Sequence, residues 1–97
     1  MIGLANVYTY AANGFIQQIR QDSPRAAGCL EQIQNEYGPY PAFLAAFALT
    51  VLRDRRNRPS FSAQHEALKT FTFYDEMQGT TEAIRLYKEA ADYLLAD

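Results

Sequence analysis

Residues Pro41 to Leu52 read PAFLAAFALTVL and contain one polar side chain, Thr50, and no charge. Alanine, leucine and phenylalanine are compatible with a helix, and Pro41 suits the first helical position, where a missing N–H costs nothing. A helix that is apolar on all sides must be surrounded by other elements. The stretch is too short to span a bilayer, which takes about 20 residues. It therefore predicts the buried central helix, about residues 41–56, of a small all-α bundle.

Length and composition set the class of protein around this helix. The chain has 97 residues, 48% of them hydrophobic, and a net charge of −2. These values predict one helical domain over residues 1–97, without a chain-wide attraction to nucleic acid or to acidic membranes. A single cysteine cannot form an internal disulfide, and the N-terminus MIGLANVYTY lacks the pattern of a signal peptide. We therefore expect a cytoplasmic protein that does not enter a membrane.

The first twenty residues show helical spacing that is interrupted by a turn signal. Apolar side chains recur at intervals of three and four residues, namely Leu4, Tyr8, Ala11, Phe15 and Ile19. Asn13-Gly14 is a strong turn dipeptide, and residues 4–12 and 15–20 could instead pair as a β-hairpin. Because the helical pattern continues in phase through Asn13-Gly14, it favours a helix. Whether this helix is kinked or interrupted near Gly14 stays open.

Two junctions bracket a second helix. Ser23-Pro24 combines a capping side chain with a proline at the first helical position. Ala27, Leu30, Ile33 and Tyr37 would then share one face of the helix. Gly38 is placed to end it in a left-handed conformation. The stiff segment Tyr37 to Pro41 would bring the central helix back against the second one.

The second half of the chain predicts one or two further helices. Ser60 or Ser62 can cap a helix that carries Leu68, Phe71 and Tyr74. Residues 69–75 also have strand propensity, so a strand stays open there, but the lack of a convincing partner strand nearby favours a helix. A turn at residues 78–81 precedes a C-terminal helix. The apolar side of this helix is formed by Ile84, Tyr87, Ala91 and Leu94, and Ala83 and Ala90 widen it. The expected architecture is therefore four to five short antiparallel helices.

Residues 64–97 resemble a single tetratricopeptide repeat. The matching positions are the family's small and aromatic ones and its inter-helix turn, namely Tyr74, Gly79, Ala83, Tyr87 and Ala90. The positions that depart from the pattern are Ala67, Phe71 and Leu95. The resemblance implies a helical hairpin only, because stable arrays need three or more repeats.

The residues that carry most catalytic chemistry are scarce. Cys29 and His65 form the only thiol–imidazole pair that the chain could assemble, and a buried thiol with an unrelated surface imidazole is the favoured interpretation. Asp75 and Glu76 are adjacent, so on a helix they point about 100° apart and cannot easily chelate one ion. We therefore expect no enzyme activity, no metal and no cofactor.

The most local chemical feature is a cluster of basic residues at the end of the central helix. Its members are Arg53, Arg55, Arg56 and Arg58. Guanidinium groups bind phosphate with two parallel hydrogen bonds, so the cluster is a candidate anion or nucleic-acid contact. Arginines at a helix C-terminus also complement the helix dipole and keep an apolar helix end in water. That structural role, with acidic residues of the later helices as partners, is the favoured interpretation.

Seven tyrosines give the sequence its second distinctive feature. Each buried hydroxyl needs a hydrogen-bond partner, so some tyrosines should lie at the rim of the core, and tyrosine is favoured at protein interfaces. Candidate interface residues are Tyr40, Tyr74, Tyr87 and Tyr93. The leading hypothesis is a non-catalytic interaction module that binds another protein or forms a homodimer. The alternatives are a regulator that contacts nucleic acid or another polyanion through the arginine cluster, and a helical protein that binds a small ligand.

Overall fold

The computed structural model describes residues 4–55 and 81–97, and four helices account for nearly all of them. They are α1 (Leu4–Asp22), α2 (Pro24–Tyr37), α3 (Pro39–Arg55) and α4 (Thr81–Ala96). The helices pack together through one shared cluster of buried side chains. The prediction of an all-α bundle is therefore confirmed. The helix or strand predicted between Ser60 and Met77 lies outside the described residues.

Helix α1 runs without interruption through Asn13-Gly14. Its buried side chains are Ala12, Ile16 and Ile19, which lie on one side of the helix at intervals of four and three residues. This stripe excludes the hairpin alternative, because a strand would alternate its apolar positions every second residue. The local turn propensity is overridden by burial of the helical stripe against the other helices.

One residue, Ser23, links α1 to α2. Its backbone N–H donates to the Ile19 carbonyl at 2.8 Å, and its own carbonyl accepts from Ala27 N–H at 3.1 Å. The Ser23 hydroxyl accepts from the backbone N–H of Ala26 at 3.2 Å, which confirms the predicted N-cap. The two helices therefore join with no free linker.

One residue, Gly38, also links α2 to α3. Its N–H donates to the Gln34 carbonyl at 3.0 Å, and its carbonyl accepts from Ala42 N–H at 3.4 Å. Its φ of 96° confirms the predicted positive φ, but its ψ of 176° is extended and not left-handed helical. The following residue, Pro39, is the reason, because a proline forces the preceding residue towards extended ψ. Helix α3 accordingly begins at Pro39, two residues before the predicted start at Pro41.

Helices α1 and α3 run parallel, which corrects the expectation of an antiparallel bundle for this pair. Tyr8 contacts Tyr40 near the beginnings of both helices, with ring centroids 4.9 Å apart. Phe15 contacts Phe47 further along, and Asp22 meets Arg53 at the ends. Two successive one-residue reversals return the chain to its first direction, so the first and third helices point the same way.

Between residues 41 and 52, helix α3 is fully buried on one side and half-buried on the other. Ala42, Ala45, Ala46 and Leu49 are fully inaccessible, and Thr50 donates its hydroxyl to the Phe47 carbonyl at 2.7 Å. Phe43, Leu44, Phe47, Val51 and Leu52 are half-buried, and Phe43 and Phe47 contact rings of α1. The predicted burial of this helix is thus confirmed on the side facing α1, α2 and α4.

Helix α4 packs antiparallel to α2. Arg25, at the start of α2, meets Asp97, just after the end of α4. The buried side of α4 consists of Ala83, Leu86, Tyr87, Ala90 and Leu94. Of the predicted residues, Ala83, Tyr87, Ala90 and Leu94 are buried, whereas Ile84 and Ala91 lie at the edge of the stripe. Leu86, which was not predicted, also belongs to it.

Candidate functional site

The arginine cluster begins with a side chain whose guanidinium already has acidic neighbours. Arg53 Nε lies 3.2 Å from Asp54 Oδ1 and 3.7 Å from Asp22 Oδ2, and its Nη2 lies 3.4 Å from Gln18 Oε1. Asp22 is contributed by α1 and Asp54 by α3 itself, whereas acidic partners were expected from later helices. These contacts occupy guanidinium N–H donors of Arg53 that would otherwise be available to bind a phosphate.

The rest of the arginine cluster adds no described side chain to this arrangement. Arg55 is the last residue of α3, and Arg56 and Arg58 lie outside the described residues. The anion or nucleic-acid site therefore stays a prediction. Its one described member holds the C-terminal ends of α1 and α3 together.

Cys29 is a buried member of the core. Burial raises the pKa of its thiol, and the nearby Glu89 carboxylate raises it further. A reactive cysteine needs the opposite shift, since the thiolate is the nucleophile. His65 lies outside the described residues, so the dyad is untested, and the environment of Cys29 is that of a packing residue.

Residues 4–55 and 81–97 offer neither a cluster of metal ligands nor a membrane-spanning helix. Within these ranges no three histidine, cysteine or acidic side chains come together as metal ligands would. None of the four described helices combines the length and the apolar content needed to cross a bilayer.

The four tyrosines predicted at an interface have different environments. Tyr87 is 98% buried by its own chain. Tyr93 is half-buried and donates its hydroxyl to Glu89 Oε1 at 2.9 Å. Tyr40 is 37% exposed and meets the edge of Tyr8, and Tyr74 lies outside the described residues. Their role as an interface set stays a prediction, and Tyr87 has a complete explanation as a core residue.

A polar clasp joins the α1–α2 junction to the end of α4. We use this name for Ser23, Arg25, Tyr93 and Asp97. The fully buried Ser23 hydroxyl donates to Asp97 Oδ2 at 2.6 Å, and Arg25 binds both oxygens of the same carboxylate. The Arg25 guanidinium also lies 4.4 Å from the centre of the Tyr93 ring.

The contacts of the polar clasp favour the ionised form of the Asp97 carboxyl. Hydrogen bonds from Arg25, and then from Ser23, lower the pKa of the Asp97 carboxyl. The sequence identified Ser23 only as a local cap, because 74 positions separate it from Asp97. Within the clasp, Ser23 and Arg25 both donate to Asp97, and Arg25 also lies over the Tyr93 ring, so the clasp ties the α1–α2 junction to the end of α4.

The distribution of charge divides the described helices into two kinds. Residues 4–19 of α1 and 39–52 of α3 contain no charged side chain. Their charges are confined to the C-terminal ends, whereas α2 and α4 carry charges along their length. Because α1 and α3 are parallel, their uncharged portions lie side by side. Among residues 4–55 and 81–97, this side therefore carries no charge over most of the length of the two helices.

An aromatic seam fills the boundary between α1 and α3. The seam consists of Tyr8, Phe15, Tyr40, Phe43 and Phe47. Neighbouring ring centroids are 4.9 to 6.2 Å apart. Edge-on and tilted pairs of this kind each contribute about 0.5–1.5 kcal/mol beyond their burial. The seam half-buries all of these rings except the more exposed Tyr40 and packs the two uncharged helices against each other.

Beyond the seam, α1 presents a second side to solvent, opposite its buried stripe. We call this side the outer face of α1. Tyr10 is 84% exposed there and Val7 is 50% exposed. The other exposed residues on this side are polar or small, namely Asn6, Asn13, Gly14, Gln17 and Gln21. The outer face therefore combines a large exposed aromatic side chain with uncharged hydrogen-bonding groups.

Comparisons with known proteins identify no relative of this chain. No protein-family model, no curated protein and no solved structure matches it. The resemblance of residues 64–97 to a tetratricopeptide repeat therefore gains no support from a family model.

Proposed function

We propose that this chain is a non-catalytic helical module that acts by protein–protein association, chiefly with a second copy of itself. The single observation that carries the proposal is the uncharged side formed by α1 and α3, with Tyr10 and Val7 exposed on it. Protein interfaces are depleted of charged residues at their centres and enriched in tyrosine. A helix surface that serves only solubility would carry charges, as α2 and α4 do.

The absence of charge also favours a second copy as the partner. Two identical charged surfaces repel each other unless their charges alternate in a complementary pattern. The uncharged portions of α1 and α3 impose no such penalty, and no charged group has to lose its water shell when two of them meet. A symmetric dimer is therefore compatible with this surface without any further adjustment.

Association driven by this surface should depend little on salt. The wild-type chain should show a concentration-dependent increase in mass by sedimentation velocity. We expect the dissociation constant to change less than about threefold between about 0.1 and about 1 M NaCl, because salt screens charge pairs and not apolar contacts. A chain that bridges through arginines and a polyanion would instead dissociate steeply with salt. A strict monomer at every concentration would overturn the proposal.

A further inference from the structure

Helices α1, α2 and α3 are joined into one continuous unit. The junctions between them are single residues, Ser23 and Gly38, and each is hydrogen-bonded to the helices on both of its sides. The aromatic seam packs α1 against α3, and an ion pair between Arg20 and Glu31 connects α1 to α2. Moving any one of these helices away from the other two would therefore disturb a hydrogen-bonded junction as well as a packed boundary.

Helix α4 is attached to this unit in a different way. Residues 56–80 separate it from α3 along the chain, and among the described helices it packs mainly against α2. Its buried stripe and the polar clasp hold it there. Detachment of α4 would break neither the backbone hydrogen bonds of the two junctions nor the contacts of the aromatic seam.

The side of α2 that α4 covers contains Cys29. The Arg25 guanidinium lies over the Tyr93 ring, and the two helices are antiparallel. Cys29 follows Arg25 by one helical turn, so it meets the turn of α4 that precedes Tyr93 and contains Glu89. Burial raises the pKa of the thiol, and the two charges that also act on it, Glu89 and Arg85, both come from α4. The Cys29 thiol is therefore covered by α4.

The polar clasp is built so that it can release without leaving a buried charge unpaired. The Asp97 side chain is 23% exposed and that of Arg25 is 58% exposed, so both remain in contact with water after they separate. The Ser23 hydroxyl would lose its acceptor, but it would keep the hydrogen bond that it accepts from Ala26 N–H. The N-cap of α2 therefore survives the release of α4.

We propose that α4 is a lid that opens as a unit from the body formed by α1, α2 and α3, with the polar clasp as its latch. Opening uncovers the Cys29 thiol and the apolar side of α2. Openings smaller than global unfolding occur where one element can leave without disturbing the contacts of the rest. This inference goes beyond the proposed function and does not depend on self-association.

The opening is measured by the reaction of Cys29, the one cysteine of the sequence, with excess disulfide reagent in the dilute full-length chain. Labelling of the wild type in native buffer should be far slower than that of a free thiol. It should also be at least about tenfold faster than global unfolding allows, because the lid opens more often than the whole chain unfolds. Urea unfolding of the same protein gives the rate that global unfolding would permit.

Two variants of Asp97 test the latch. Asp97→Asn removes the charge that Arg25 and Ser23 bind, so it should raise the labelling rate about tenfold, as the loss of a charge-assisted hydrogen bond predicts. Asp97→Glu keeps the charge and should stay closer to the wild type. Circular dichroism of each variant shows whether the helices remain folded.

The matched control is Phe15→Leu, which weakens the aromatic seam within the body. This variant should lower the urea midpoint of global unfolding. It should leave the labelling rate of Cys29 within about twofold of the wild type, because the lid opens without disturbing the seam.

The outcomes decide the inference. Fast wild-type labelling relative to global unfolding, raised by Asp97→Asn and unchanged by Phe15→Leu, supports a latched lid. A wild-type rate equal to that set by global unfolding means that the helices open together, and it overturns the inference without any variant. A rate that rises with Phe15→Leu in proportion to the loss of global stability also overturns it. Labelling of Asp97→Asn at the wild-type rate overturns the clasp as the latch.

Discussion

The most direct test of the fold is the replacement of Gly38 by alanine. Gly38 has φ of 96° and ψ of 176°, a combination that is essentially restricted to glycine. An alanine Cβ would meet no neighbouring atom within 4 Å, so the penalty comes from the backbone alone. Pro39 prevents the residue from relaxing into the left-handed helical region.

The magnitude follows from two opposing terms. Holding alanine in this region costs about 1–3 kcal/mol, and the reduced freedom of the unfolded chain returns about 0.4–1 kcal/mol. Gly38→Ala should therefore lower the free energy of unfolding by about 1–2 kcal/mol. For a chain of this length the melting temperature should fall by about 5–15 °C.

The matched control for this prediction is Gly28→Ala. Gly28 lies within α2 at an ordinary helical φ, so alanine there should raise the free energy of unfolding by about 0.5–1 kcal/mol. Urea unfolding followed by circular dichroism, at a concentration far below the dimer dissociation constant, measures both changes. If Gly38→Ala is as stable as the wild type while Gly28→Ala behaves as expected, the one-residue junction between α2 and α3 is wrong.

Further predictions concern the polar clasp and the core. Asp97→Asn should destabilise the chain at neutral pH. Because the pKa of Asp97 is lowered in the folded chain, the wild type should be more stable than the variant above the ordinary carboxyl pKa and lose this advantage as the pH falls through the folded pKa. Urea unfolding of both proteins between neutral and acidic pH measures the difference. Ser23→Ala should cost about 1 kcal/mol of unfolding free energy, since it removes a buried cap, and an unchanged urea midpoint would contradict that role. The Cys29 thiol should react with a disulfide reagent only as fast as the core opens, so rapid labelling in native buffer would refute its burial. Ile33→Ala should cost about 2–5 kcal/mol, because Ile33 is fully inaccessible in the shared core, and a loss below about 1 kcal/mol in urea unfolding would argue against that packing.

Most of the described helices could be predicted from the sequence, because the signals that start, continue and end a helix act over a few residues. Ser23-Pro24 indicated a helix start because a serine cap and a proline at the first helical position both act within the first turn of the helix. Gly38 indicated the end of α2 because glycine adopts a positive φ, which a helix end requires, more readily than other residues. Helix α1 was favoured over a hairpin because its apolar period continues through Asn13-Gly14.

The candidate sites were less readable, because they depend on which surfaces remain uncovered. Tyr87 and Tyr10 are the same residue type, but the first is 98% buried and the second is 84% exposed. The sequence placed Arg53 in a basic cluster, but it did not show that Asp22, which lies on another helix, is next to it. A sequence records residue type and spacing, whereas exposure is a property of packed helices.

The sequence by itself therefore determined the described helices and their junctions, since helix period, caps and φ preferences act over a few residues. Only the tertiary structure decided that α1 and α3 run parallel, that Ser23 meets Asp97 and that the uncharged helices share one side. These relations join residues that are far apart along the chain. Their free energy comes from burial and from charge pairing, which exist only once the helices have packed.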